Sequence, residues 1–256
     1  MYRRLLVAVL VVLAGCGAAV PGGGEQTPSE TATAAPVPTT TPAPTPDPVV
    51  YPPGLADDGV NATALAAATR ASLSGTEFAL QYDRREARPE PSLGAVYVGP
   101  RVQVRAGAPD RYVVNRSLVT ERGGGLSIET FRNATYVNGS RATTLTRNGT
   151  ETSAAGPDAE GVPSRLAGSL VARYLAVETA EVTVFENGTA LVQGEGGGPA
   201  NASDYSVTAV VAPDGTVLRL DALYVENDRV QFATVRIEGA TFEPPGWAPN
   251  GTNATA

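Results

Sequence analysis

Apolar residues recur along this chain in three rhythms, and each predicts a different element. Leu5 to Leu13 is an unbroken apolar run. Asp57 to Leu73 reads as a helix: Asp58 or Asn61 is in position to cap it, and the stretch from Ala62 to Ala71 is Ala-rich with high helix propensity. From Pro163 to Val177, Leu166, Leu170 and Tyr174 repeat at four-residue spacing behind a proline suited to a first turn, which predicts a second helix over 163–177. Elsewhere the period is two. Phe78, Leu80 and Tyr82 alternate with Glu77, Gln81 and Asp83; Val102 and Val104 with Arg101, Gln103 and Arg105; Leu218, Leu220, Ala222 and Tyr224 with Arg219 and Asp221; Val230 and Phe232 flank Gln231. Alternation of this kind predicts antiparallel strands with one face buried.

The turn chemistry agrees. Asn138-Gly139, Asn148-Gly149, Asn187-Gly188 and Asp214-Gly215 interrupt the alternating runs, and such pairs adopt the positive φ that tight hairpins require. Gly194 to Pro199 reads as a further, flexible loop. The order helix, strands, helix, strands joined by hairpins predicts an α+β fold.

The first apolar run has another meaning. It follows Arg3-Arg4 and has about half the ~20 residues of a membrane-spanning helix, so it reads as a signal segment. Leu13-Ala14-Gly15-Cys16 then forms a lipobox: an apolar residue, two small ones, and a cysteine whose thiol takes a diacylglyceryl group and becomes the first residue after cleavage. Two acyl chains anchor stably where one is marginal. Arg3-Arg4-Leu5-Leu6 is similar to a twin-arginine export signal. Up to Pro53, prolines alternate with threonines, a composition that buries little apolar surface and forms a semi-rigid spacer suited to O-glycosylation. The expected organisation is a signal peptide over 1–15, lipidated Cys16 and a tether over 16–53, one domain over 54–247, and a disordered tail over 248–256. The expected location is the outer face of the cell membrane.

Composition narrows the chemistry. The 19 basic residues are all arginine, against 26 acids, for a net charge of -7. That sign repels nucleic acid. Without histidine or lysine, Ser–His and Cys–His nucleophiles, the usual zinc ligands, Schiff bases and P-loop lysines are excluded. The single cysteine excludes an internal disulfide. No catalytic residue, metal ligand or cofactor site is assigned. An acidic, lysine-free, Ala/Val/Thr/Gly-rich chain resembles proteins of extreme halophiles. The lipobox, Thr/Pro tether, helix–meander order, and Val235-Arg236-Ile237-Glu238 leading to Pro244-Pro245-Gly246-Trp247 resemble haloarchaeal surface lipoproteins of unknown function. The architecture looks like the LolA/LppX lipoprotein carriers. That resemblance implies a strongly curved antiparallel sheet, an incomplete barrel, with two helices packed in or across it and acyl chains bound between them. No binding residue transfers from that group.

Candidate sites follow. Asn-X-Ser/Thr sequons at Asn61, Asn115, Asn133, Asn138, Asn148, Asn187, Asn201, Asn250 and Asn253 are acceptors for N-linked sugar on an exported domain. Glu226 with Asp228, and Asp57 with Asp58, have cation-binding side chains, but a solvated turn explains the first pair and a helix start the second. Gly194-Glu195-Gly196-Gly197-Gly198 lacks the Lys/Ser of a phosphate loop. Trp247 either packs over the open end of the sheet or meets a partner. Three roles compete: binding an apolar or lipidic ligand between sheet and helices; a structural or interaction component of the cell surface; and, ranked last, carboxylate acid/base catalysis. The expected partners are the membrane, through the lipid, and a lipid or apolar ligand. The sequence leaves the oligomeric state open.

Overall fold

The computed structural model describes residues 48–248, apart from 91–93, 123–125 and 157. They belong to one compact unit, Asp47–Ala256. Cys16 and its lipobox, the tether up to residue 47, Asn250, Asn253 and the tail over 249–256 lie outside the described residues.

A two-residue hairpin, β1 (Leu55–Ala56) and β2 (Gly59–Val60), precedes helix α1 (Ala62–Leu73). The helix therefore begins with the Ala-rich run at Ala62 rather than at the expected Asp57, and Asp57 and Asp58 form the hairpin turn. Asn61 sets the start: its Oδ1 accepts the Ala64 N–H at 2.9 Å, satisfying one of the free donors of the first turn.

Six strands follow as a meander: β3 (Phe78–Glu90), β4 (Gly94–Ala108), β5 (Arg111–Arg122), β6 (Leu126–Asn138), β7 (Arg141–Thr146) and β8 (Gly149–Ala154). Helix α2 (Val162–Tyr174) leads to a second meander of β9 (Thr179–Val184), β10 (Ala190–Glu195), β11 (Ser203–Val211), β12 (Val217–Glu226) and β13 (Arg229–Gly239). The meanders join where β13 pairs antiparallel with β3. The result is one 11-stranded sheet in the order β8-β7-β6-β5-β4-β3-β13-β12-β11-β10-β9. It is not closed, so the fold is α+β with a large open antiparallel sheet and two helices. The β8 edge is exposed throughout and reads Gly-Thr-Glu-Thr-Ser-Ala, a polar edge that discourages pairing with other chains.

Both helices pack on the same face. Leu65, Thr69 and Leu73 of α1 and Ala167, Leu170, Val171 and Tyr174 of α2 are buried against Leu80, Val104, Val207, Leu220, Tyr224 and Val235 of the sheet. Each large apolar side chain buried in this layer contributes about 1.5–3 kcal/mol. The two helices meet at Gly168, where a Cβ would come within 2.9 Å of the Ala66 carbonyl. Thr69 ties α1 to the β11–β12 turn: its hydroxyl donates to Gly215 O at 3.1 Å and accepts the Val217 N–H at 3.2 Å.

Two alternations resolve differently from their sequence pattern. In β13 the buried residues are Gln231, Ala233, Val235 and Ile237, while Val230 is 39% exposed. The longer downstream run sets the register, and a period of two carries Gln231 inward and Phe232 to the other face. In β12, Val217 is buried and Leu218 is exposed, because a register shift between Val210 and Val211 realigns the start of the strand. The loop after β10 also differs from the flexible connection expected. Gly194 and Glu195 lie within the strand, and the loop is held: Gly198 donates to Ala176 O at 2.7 Å and Gly196 to Tyr205 O at 3.1 Å. At Gly197, φ is 65° and a Cβ would sit 2.4 Å from the Ala176 carbonyl.

The β11–β12 turn carries a prediction about acid. Asp214 accepts from the Ser72 hydroxyl at 2.8 Å and the Thr216 N–H at 2.9 Å. Burial alone would raise its pKa, but these hydrogen bonds outweigh it and hold the carboxyl below the usual range. Glu86 behaves alike: burial opposes its charge, and Arg229, Arg88 and Gln231 more than compensate. Both folded-state values are depressed. Their stabilisation is therefore present above the ordinary carboxylate pKa of about 4 and lost as pH falls through the lower folded values. Melting temperature should fall below about pH 4, and Asp214→Ala should cost about 1 kcal/mol at neutral pH and flatten that fall.

Candidate functional site

After Gly239 the chain turns back over the face that carries no helices, here the outer face. Pro244 and Pro245 fix local φ and offer no N–H, and Ala248 N–H donates to Pro245 O at 2.9 Å, returning the chain on itself. Phe242 anchors this strap. Its ring stacks on Tyr136 with centroids 6.4 Å apart, Arg111 lies over it at 5.5 Å, and its N–H donates to Glu77 Oε2 at 3.2 Å. Val113, Tyr136, Phe242 and Ala248 form a small second core, with Trp247 partly buried against it.

Between the strap and the sheet lies a groove of about 520 Å³, bounded by β3, β4, β5 and β13 on one side and by Glu243, Pro245 and Trp247 on the other. Its floor is an ordered row of polar side chains from neighbouring strands. Arg101 pairs with Asp83 at 2.6 Å; Asp83 accepts from Gln81 at 2.7 Å; and Gln81 accepts from Gln103 at 3.3 Å. Arg101 also pairs with Glu129 at 2.8 Å, and Glu129 accepts from Ser117. The buried ion pair thus fixes the two amides that line the groove. Around them stand Arg105, Asn115, Arg236, Glu238 and Glu243, all exposed. Among the described residues no hydrogen bond or ion pair engages these five side chains or the Trp247 N–H. The groove can donate, accept and stack. It presents no nucleophile with a paired base.

Comparison with known protein families and with curated proteins finds no match.

The opposite face is different in kind. Tyr82, Tyr174, Tyr205 and Tyr224 cluster where α2 ends, with the Tyr82 and Tyr174 hydroxyls 2.8 Å apart and neighbouring rings about 6 Å from each other. Burial pushes the Tyr174, Tyr205 and Tyr224 hydroxyls above the ordinary tyrosine value. Arg84 lies beside this cluster and 3.8 Å from Glu226. The interior is packed. Leu65, Ala167, Val171, Tyr174 and Leu175 have no exposure, and the small cleft beside Leu73, Phe78 and Pro163 holds about 10 Å³, room for one water at most.

The sequence-named residues scatter. Glu226 faces Arg84, and Asn227 and Asp228 have φ of 52° and 59° in the β12–β13 turn. Among the described residues no three acidic, Cys or His side chains form a metal-binding group. Trp247 lies over the outer face, beside the groove. Of the sequons, Asn148 and Asn187 occupy exposed hairpin turns, Asn138 is the exposed last residue of β6 and pairs with Arg111 and Arg141, Asn61 caps α1, and Asn201 sits in the β10–β11 loop with φ of 66°. Asn115 and Asn133 lie within paired strands; Ser117 is buried and bonded to Glu129, and Asn133 Oδ1 is buried without a partner. A sequon whose backbone is already bonded to its neighbours cannot enter a transferase cleft. Export in the folded state, the expectation from Arg3-Arg4, predicts sugar at Asn148 and Asn187 and none at Asn115 or Asn133. Glycopeptide mapping checks this; sugar on Asn115 would mean that the chain is modified before it folds.

Gln81, Gln103, Arg105, Arg236, Glu238 and Glu243 were not distinguished by sequence reasoning. Their only signal is the polar half of β4, where Arg101, Gln103 and Arg105 alternate without Ser, Thr or Asp. The Pro-Pro-Gly-Trp tail supplied the other half of the site without saying which strands it would cover.

Proposed function

We propose that this chain is a membrane-anchored extracellular lipoprotein, held by a diacylglyceryl group on Cys16, whose domain is an interaction module of the cell surface working through the groove beneath the C-terminal strap. The observation that carries the reading is the contrast between the two faces. The helix-bearing face is filled, while the outer groove has a fixed polar floor and a rim of charged side chains that have no partners among the described residues. The lipobox, the Thr/Pro tether and the acidic composition support the location. Among the described residues no helix is long and apolar enough to cross a membrane. The open order of 11 strands with both helices on one face is consistent with a LolA/LppX-like incomplete barrel. Binding of an apolar ligand between sheet and helices, the reading that this likeness suggests, would require displacing residues with no exposure at all.

The test is photo-cross-linking on intact cells, with the reactive group at position 236 of the full chain and, as a control, at Ser169 on the exposed side of α2. A defined species captured only from position 236, and lost with Trp247→Ala, is the expected result. The same bulk membrane proteins captured from both positions would overturn the reading.

A further inference from the structure

We infer that the groove binds a saccharide, with one sugar ring stacked on Trp247. The inference rests on the groove being the working surface proposed above and names its ligand. A sugar presents an apolar C–H face and a rim of hydroxyls, each both donor and acceptor. The groove offers the complement. Trp247 supplies a partly exposed aromatic face backed by the second core. Gln103 and Asn115 supply amides that both donate and accept. Arg105 and Arg236 supply donors, and Glu238 and Glu243 supply acceptors.

The balance of charge selects among polar ligands. Two arginines face two glutamates, so a phosphate or sulfate attracted by the first pair is repelled by the second. A neutral polyol uses both. The volume, about 520 Å³, lies within the range of about 300–1,000 Å³ typical of small-ligand sites. Stacking and short hydrogen bonds also persist in concentrated salt, where steering by charge is screened within a few ångströms. The fixed floor matters for the same reason: Gln81 and Gln103 are already oriented by Asp83 and Arg101, so a ligand meets placed groups and little side-chain entropy is lost on binding.

The source that fits an unmodified Asn115 is a glycan of the neighbouring cell surface; the chain's own glycan on Asn115, which itself lines the groove, is the source the test must exclude. One experiment separates them. The sequence contains a single tryptophan, so its intrinsic fluorescence reports on Trp247 alone. The full chain, purified in detergent, is titrated with neutral and uronic-acid oligosaccharides, and inorganic phosphate is tried as a competitor. At least one oligosaccharide should shift or quench the emission saturably, and phosphate should not displace it. Arg236→Ala, an exposed change that leaves the melting temperature in place, should weaken binding at least tenfold. Calorimetry should show Trp247→Ala abolishing binding and Trp247→Phe retaining part of it. If the neighbouring surface is the source, the wild-type chain and Ser117→Ala, which removes the sequon and keeps the Asn115 amide, respond alike; if the chain's own glycan fills the groove, only Ser117→Ala responds. No response in either chain, displacement by phosphate, or undiminished binding by both Arg236→Ala and Trp247→Ala would overturn the inference. If cross-linking from position 236 still captures a defined protein while no sugar binds, the saccharide falls and the groove stands. If both fail, the proposed function falls with it.

Discussion

Arg101→Ala is expected to destabilise the domain by about 3–5 kcal/mol. The loss comes from the partner left behind. Asp83 keeps only 6% of its side chain exposed, and Arg101 holds its Oδ1 at 2.6 Å. Without the guanidinium, Asp83 retains Gln81 as its side-chain donor and carries an uncompensated buried charge. Glu129 loses its cation in the same step. For a domain of this size each kcal/mol lowers the melting temperature by about 2–4 °C, so a drop of about 10 °C is expected. Two further variants separate the cause. Arg101→Lys restores a charge but not the planar fork and should recover only part of the loss. Arg101→Met combined with Asp83→Asn removes both charges and should be milder than Arg101→Ala alone. A loss of less than about 1 kcal/mol in Arg101→Ala would show that the pair does not anchor the outer face.

Tyr174→Ala is the second large effect, at about 3–5 kcal/mol, the usual range for deleting a buried aromatic side chain. Tyr174 has no exposed surface, its ring lies 6.3 Å from Tyr82 and 6.4 Å from Tyr224, and its backbone carbonyl accepts from the Tyr205 hydroxyl. Removal leaves a cavity between α2 and the sheet and strands the Tyr82 hydroxyl. Tyr174→Phe keeps the ring and loses one hydrogen bond, so about 1 kcal/mol is expected. The cluster also predicts alkaline behaviour. Tyrosine hydroxyls whose folded pKa is raised contribute stability that is full below their ordinary value of about 10 and is lost as pH rises beyond it. Thermal melts between about pH 8 and pH 11 should show that decline in the wild type. Equal melting temperatures for Tyr174→Ala and Tyr174→Phe would mean that the ring is not what fills the layer.

Period-two alternation and Asn-Gly turns made most of this fold legible, because both are local. The four turn pairs fall between β6 and β7, β7 and β8, β9 and β10, and β11 and β12. Local signals failed where a neighbouring strand decided the outcome. Val230 and Phe232 alternate correctly around Gln231, yet the downstream Ala233, Val235 and Ile237 take the helix-bearing face and reverse the reading. Asp57 and Asp58 looked like a helix start, but Asn61 makes the capping bond and the two aspartates are left to the β1–β2 turn. The groove was the least legible part. Gln81, Gln103 and Arg236 are cross-strand neighbours only through the pairing of β13 with β3 and of β3 with β4, and Trp247 reaches them by a turn after the last strand. No spacing in the chain records such a juxtaposition. The packing of the interior was illegible for a related reason: inward Val, Leu and Tyr line a cavity or fill a core equally well, and the sequence pattern does not distinguish the two.

Native mass spectrometry of the full chain, released by mild detergent from the membranes of its own host, tests the central claim most directly. The account predicts a chain that begins at Cys16, carries a diacylglyceryl group that survives denaturation, and holds no further lipid. A lipid bound in stoichiometric amount and lost on denaturation would place the ligand between sheet and helices and contradict it, as would an uncleaved N-terminus without the acyl mass.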